Sequence, residues 1–129
     1  MRVVFCLLVF LFASACAHAQ RVGISAETLS SFEDATLPGR EFRVLRTTYA
    51  PGGSNGRHYH VSHVVFYVLE GSGIWQEEGK PPVTLKSGDS LHARPGTVHS
   101  HRNASDTAPL VFLEFVVLEK GQRSTVPMQ

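Results

Sequence analysis

The chain has 129 residues, 12 basic and 11 acidic side chains, and a formal net charge of +1 at neutral pH. This length provides one domain with one core. The sequence contains no basic block that could follow a phosphate backbone and no acidic tail, so nucleic acid is not an expected partner.

Residues 1–19 differ in character from the rest of the chain. Arg2 precedes an apolar run from Val3 to Phe12, and the small-x-small pattern Ala17-His18-Ala19 stands before Gln20. This order is typical of a secretory signal peptide, and the apolar run is too short for a membrane-spanning helix. We therefore expect an exported protein, periplasmic or secreted, that is cleaved near Ala19 and has no membrane span.

Both cysteines, Cys6 and Cys16, lie inside this leader. Cleavage after Ala19 would remove them and leave neither a disulfide nor a thiolate ligand. The run Ala13-Ser14-Ala15-Cys16 also resembles a bacterial lipoprotein box, and the alternative is therefore a lipoprotein anchored through Cys16.

The remaining chain divides into an N-terminal arm at residues 20–40, a β-domain at residues 41–120 and a C-terminal tail at residues 121–129. The arm is expected to hold a short strand or a helical turn. From Glu41 onward, short apolar runs alternate with Gly, Pro and Asp, which is typical of an all-β sandwich or barrel. The predicted strands are Glu41 to Tyr49, His63 to Leu69, Gly73 to Gln76, Val83 to Leu85, Ser90 to Ala93, His99 to Arg102 and Leu110 to Leu118.

Two segments carry more specific expectations. Residues 51–56 are rich in glycine and polar residues, which predicts a flexible loop. The run Leu110 to Leu118 contains only Glu114 among apolar residues, which predicts a strand buried on both faces.

Six of the seven histidines lie between His58 and His101, as His58-Tyr-His60-Val-Ser-His63, His92 and His99-Ser-His101. Imidazole is the commonest transition-metal ligand among protein side chains and binds as a neutral ring. Residues two apart on a strand share a face, so each His-x-His pair can converge. The pattern predicts a metal site.

The segment Gly52 to Asn103 resembles a small single-domain cupin, which is a double-stranded β-helix or jelly-roll barrel. The first cupin motif appears as Gly52, His58, His60 and Gly71, with Tyr67-Val68-Leu69-Glu70 before the last glycine. The second appears as Gly88-Asp89, Arg94-Pro95-Gly96, His99 and Asn103.

The resemblance implies one divalent transition metal, held by His58, His60 and His99 in the barrel mouth. The ion could be Fe, Mn, Ni, Cu or Zn; imidazole ligands suit Fe, Ni, Cu and Zn alike, so the sequence does not choose among them. The departure is Val64, which stands where the family usually has a glutamate ligand. Valine cannot coordinate a metal, so the usual three-histidine, one-glutamate set is incomplete.

Several arrangements could compensate. His63 neighbours the missing ligand, but strand alternation turns it to the opposite face unless a bulge intervenes. His101 shares a face with His99 and could be a fourth ligand, and His92 could line the pocket. Otherwise the metal keeps three protein ligands and open positions for water.

The cupin resemblance favours an oxidoreductase of the dioxygenase type, quercetinase-like, acting on a small enolic or phenolic substrate chelated to the metal. Its expected pocket lining is Phe66, Trp75, Phe112 and Phe115. The alternatives are a non-catalytic module that binds a metal or a small molecule, and a metal-assisted isomerase or hydrolase.

An isomerase or hydrolase needs a general base near the ion, and Glu114 is the candidate. Alternation along its strand favours an edge or outward position instead. Exposed sheet edges also permit a homodimer.

Overall fold

The computed structural model describes residues 22–128, and in that range the chain forms strands and no helix. The signal peptide prediction, together with Cys6 and Cys16, lies outside the described residues. No helix within 22–128 is long and apolar enough to cross a membrane. The strands are β1 (Val22–Glu33), β2 (Arg40–His60), β3 (Val64–Glu70), β4 (Ser72–Glu77), β5 (Val83–Lys86), β6 (Ser90–Ala93), β7 (His99–Asn103), β8 (Leu110–Glu119) and β9 (Thr125–Pro127).

Strand β2 is 21 residues long and pairs with four other strands. Its first half, Arg40 to Tyr49, lies antiparallel between β1 and β8. Its second half pairs with β7 from Ser54 to His58 and with β9 from His58 to His60. One continuous strand therefore joins the two halves of the molecule.

The strands follow the order β5-β4-β7-β2-β8-β3-β6, and β1 and β9 add to β2 outside this path. Each pairing in the order is antiparallel. The strands curl into a nearly closed barrel with the topology of a double-stranded β-helix. The predicted fold class, an all-β jelly roll, is confirmed.

Two expectations about segments outside the central strands need correction, and the C-terminal segment adds a strand. From residue 22 onward the N-terminal arm holds no helical turn and forms β1, whose 12 residues make a long strand instead of a short one. Residues 51–56 continue β2, because their backbone groups pair with neighbouring strands despite the glycines. Part of the C-terminal tail forms β9, which pairs with β2.

The core lies inside the barrel and alternates along each strand. On β3, Val64, Phe66 and Val68 are buried, and the residues between them are exposed. Strand β8 follows the same rule, so the prediction that it is buried on both faces is wrong: Phe115 is 42% and Val117 is 38% exposed. An apolar strand in an antiparallel barrel can carry one face outward because its backbone pairing is complete on both edges.

The reversal between β3 and β4 depends on glycine. Gly71 has a φ of 79°, in the left-handed region, and a Cβ there would lie 2.4 Å from the carbonyl oxygen of Pro109. Any other residue at this position would have a strained backbone conformation, and its Cβ would clash with the Pro109 carbonyl oxygen. Gly73, two residues on, leaves room for the ring of His101, whose Nε2 would lie 2.6 Å from an added Cβ.

The two faces of β3 predict unequal effects for identical truncations. Val64→Ala removes two methyl groups from a fully buried side chain and should lower the free energy of unfolding by about 2 kcal/mol. Val65→Ala, at a position 41% exposed, should change it by no more than about 0.5 kcal/mol. Urea unfolding of both variants measures the difference. Equal losses would contradict the assigned faces.

Candidate metal centre

Two strands bring the three predicted ligands together. His58 and His60 lie two residues apart on β2, on one face, and His99 is the register partner of His58 across the β2–β7 pair. The ring centroid of His58 lies 4.1 Å from that of His99 and 5.2 Å from that of His60, and the centroids of His60 and His99 are 5.0 Å apart. Each ring offers a nitrogen, and the three nitrogens all lie within 4.8 Å of one another.

Each of the three rings is anchored through Nδ1. The Nδ1–H of His58 donates to the carbonyl oxygen of Gly56 at 2.6 Å, and that of His99 donates to the carbonyl oxygen of Thr97 at 2.9 Å. A carbonyl oxygen can only accept, so the proton of each neutral ring lies on Nδ1 and the lone pair on Nε2. Nδ1 of His60 lies 3.2 Å from Oγ of Ser124, in the segment before β9.

The other ring nitrogen, Nε2, has a different environment in each of the three histidines. Nε2 of His60 and of His99 are buried and have no hydrogen-bond partner. A buried polar atom without a partner is costly, and a metal ion would satisfy both atoms at once. Nε2 of His58 lies 3.4 Å from Nδ2 of Asn55. The donor set is three imidazoles, two of which, His58 and His99, have Nδ1 bonded to a carbonyl oxygen, and it fits a divalent transition metal.

Burial keeps the rings of His60 and His99 neutral. Desolvation lowers the pKa of His60 to about 3 and that of His99 to about 4, with repulsion from His58 adding to both shifts. His99 also stacks on the indole of Trp75, with centroids 3.8 Å apart and an interplanar angle of 20°. A neutral, sterically fixed ring is the form of histidine that ligates metals.

No fourth histidine or carboxylate of residues 22–128 joins this group. Val64 is fully buried in the core at the position of the usual glutamate. His101 faces inward and is buried, but it packs among Tyr49, Phe112 and Trp75. Among the described side chains, the group that could hold a metal has three members and leaves further coordination positions to water or substrate.

His63 and His92 lie elsewhere. Both are exposed on the outside of the barrel, and Nδ1 of His63 lies 2.8 Å from Nε2 of His92. Strand alternation thus places His63 on the opposite face from Val64, as predicted. The expectation that His92 lines the pocket is wrong, because His92 pairs with the outward-facing Val65 across β3 and β6.

Glu114 lies inside the barrel, and the expected outward or edge position is wrong. It follows Phe112 and precedes Val116 on the inward face of β8, where it lines the same cavity as the three histidines. Oγ1 of the buried Thr47 donates to its Oε1 at 2.6 Å. Alternation was the correct rule, but the sequence alone did not show which set of alternate residues faces the core.

The cavity around the histidines has a volume of about 460 Å³. Phe66 and Trp75 line it as predicted, whereas Phe112 lies in the core behind it and Phe115 is exposed on the outer face. Sequence reasoning missed the two arginines of the lining, Arg43 and Arg123. Arg43 lies on β2 and Arg123 in the loop before β9, and only the structure places both beside the histidines.

The chain belongs to the cupin family: the model for the cupin domain matches residues 45–118. This confirms the resemblance found in the two histidine motifs. No curated protein matches the chain closely enough to be called a relative.

Solved structures of similar fold come from several bacteria. A cupin-like protein of Thermotoga maritima is 24% identical, with a TM-score of 0.65 over 81% of this chain and 75% of its own. A cupin domain of Bordetella pertussis is 27% identical, with a TM-score of 0.59 over 77% of this chain and 97% of its own. The DMSP lyase DddQ of Ruegeria pomeroyi is 18% identical, with a TM-score of 0.64 over 80% of this chain and 50% of its own.

Two alanine substitutions on β7 distinguish a metal ligand, His99, from a buried histidine beside it, His101. His99→Ala should abolish tight binding of one divalent metal per chain, because it removes one of three Nε2 donors. His101→Ala, equally buried and two residues away, should retain that equivalent. Elemental analysis of the untagged proteins after dialysis against a weak chelator measures both, and metal retained by the His99 variant would refute the ligand set.

The neutral rings also predict how stability depends on pH without metal. The pKa of His60, His99 and His101 is lowered in the folded chain to about 3, 4 and 3, so the unfolded chain binds more protons below its ordinary histidine pKa of about 6.5. Stability is therefore complete near pH 7 and falls as the pH drops from about 6.5 towards 4. Urea unfolding of metal-free protein across this range measures the slope, which should be shallower in His101→Phe. A flat profile would contradict the buried neutral rings.

Proposed function

We propose that this protein is a metal-dependent enzyme that catalyses acid–base chemistry, of the isomerase, lyase or hydrolase kind, on a small anionic substrate. The observation that carries the proposal is the position of Glu114. Among the described residues it is the only carboxylate that lines the cavity of the three histidines. A carboxylate facing a Lewis-acid site is the pairing that proton abstraction requires.

His58, His60 and His99 would hold the metal through Nε2. When bound, the metal supplies a Lewis acid that stabilises negative charge developing on a substrate oxygen. Three protein ligands leave room for a substrate to chelate the ion directly. The Nδ1 hydrogen bonds to Gly56 and Thr97 keep two of the rings in the ligating orientation.

Glu114 would act as the general base. It does not belong to the group of ligand nitrogens that all lie within 4.8 Å of one another, which favours a role in proton transfer over one in coordination. The hydrogen bond from Thr47 fixes one carboxylate oxygen, Oε1. A carboxylate held in this way can take a proton from a substrate carbon or water on the metal side of the cavity.

The cavity lining indicates the chemical class of the substrate. Arg43 and Arg123 both line it, and Arg43 is held by a two-point ion pair with Glu41. Within residues 22–128 Arg123 has no ion-pair partner, so its guanidinium can bind a carboxylate or phosphate. Phe66 and Trp75 supply an apolar wall. A small molecule with one anionic group and a metal-chelating oxygen fits this lining.

Export suits an enzyme for small solutes outside the cytoplasm, although cleavage near Ala19 and the lipid anchor at Cys16 stay predictions. The homodimer stays a prediction as well.

Glu114→Gln tests the proposal on metal-loaded protein. The substrate panel consists of small carboxylic acids that carry an acidic C–H bond or a β leaving group. We expect turnover by the native chain and a loss of about 10²- to 10⁴-fold in kcat in the variant, because the amide cannot accept the proton. Metal content should be unchanged. Glu119→Gln, an exposed carboxylate on the same strand, is the matched control and should keep full activity.

A dioxygenase acting on an enolic or phenolic substrate is the second candidate, favoured by the open coordination positions and the apolar wall of Phe66 and Trp75. A requirement for O₂ distinguishes the dioxygenase from the acid–base enzyme. Turnover under strict anaerobiosis supports the acid–base enzyme, whereas oxygen uptake with flavonols or other enols, unchanged by Glu114→Gln, would replace it with the dioxygenase. Metal and ligand binding without any turnover would leave the non-catalytic module.

A further inference from the structure

The outer surface of the barrel carries a second pair of histidines. His63 precedes β3 and His92 lies on β6, and both side chains are exposed. The pairing of Val65 with His92 places the two rings side by side on the outward face. This pair is separate from the cavity, since neither ring lines it.

The geometry of the pair matches that of two ligands on one ion. Nδ1 of His63 and Nε2 of His92 are 2.8 Å apart, and the rings stack with centroids 4.9 Å apart at 27°. Two imidazole nitrogens at a metal–nitrogen distance of about 2.0–2.1 Å are about 2.9 to 3.4 Å apart when they subtend between a right angle and a tetrahedral angle. A small rotation of either ring therefore converts the hydrogen-bonded pair into a chelate.

We propose that His63 and His92 form a second, solvent-facing metal site that binds a divalent transition ion such as Ni²⁺, Cu²⁺ or Zn²⁺. In the metal-free pair, the N–H of one ring donates a hydrogen bond to the ring nitrogen of the other. On binding, the donor ring moves its proton to its remaining nitrogen, so both facing nitrogens present lone pairs. Water completes the coordination, because no third histidine or carboxylate of the described chain joins the pair.

This site differs from the cavity in exchange behaviour. Two exposed ligands hold an ion less tightly than three buried ones, and solvent reaches the ion directly. The chain should therefore bind two equivalents of metal, one retained and one exchangeable. The inference does not depend on the proposed enzymatic activity, because it concerns residues outside the cavity.

Equilibrium dialysis of the untagged protein with Ni²⁺ tests the site. We expect a tight and a weak equivalent, with the weak one lowered about 100-fold in affinity by His63→Ala and equally by His92→Ala, since either change leaves a single imidazole. The tight equivalent should remain in both variants. Arg94→Ala, exposed just after β6, is the matched control and should keep both equivalents.

Paramagnetic broadening supplies a second readout on the folded native chain. After one equivalent of Ni²⁺ has filled the tight site, a small further addition should broaden the ring resonances of His63 and His92 together. A weak equivalent that survives both histidine substitutions, or a native chain that binds only the tight equivalent, overturns the proposal. Circular dichroism confirms that the variants are folded, which is expected because both side chains are exposed.

Discussion

The continuity of β2 is the constraint on which the rest of the structure depends. Its 21 residues pair with β1 and β8 in the first half and with β7 and β9 in the second. The second half carries His58 and His60, and its register with β7 brings in His99. The first half carries Thr47, which holds Glu114 on β8. A single strand thus fixes the histidine cluster and the carboxylate in one cavity.

The cavity concentrates polar groups that would be costly to bury without partners. The imidazoles of His60 and His99 keep their neutral form because desolvation lowers their pKa, and the carbonyl oxygens of Gly56 and Thr97 accept hydrogen bonds from Nδ1 of His58 and His99. Nε2 of His60 and of His99 is buried without a hydrogen-bond partner, and so is Nε2 of the neighbouring His101. Unpaired buried nitrogens destabilise the metal-free fold. Those of His60 and His99 are also the atoms that would bind a metal, so the stability of the fold and metal binding are coupled at this site.

The sequence predicted what depends on local spacing and missed what depends on distant pairing. His-x-His on a strand puts His58 and His60 on one face in any register, and the second motif adds His99. Glu114 was misplaced because nine residues of nearly uniform apolarity do not reveal which alternate set faces inward. That choice is set by pairing with β2 and β3, where Glu114 lies between Leu45 and Phe66.

The same alternation that joins the inner histidines separates the outer ones. Between His60 and Val64 the chain leaves β2 and turns into β3, and this turn resets which residues face inward. Val64 then enters the core and His63 faces the solvent beside His92. Replacement of the usual glutamate by valine thus leaves the inner group with three ligands, and the exposed outer pair does not join it. The buried and the exposed histidines differ in their access to solvent, and this difference determines how firmly each set could hold an ion.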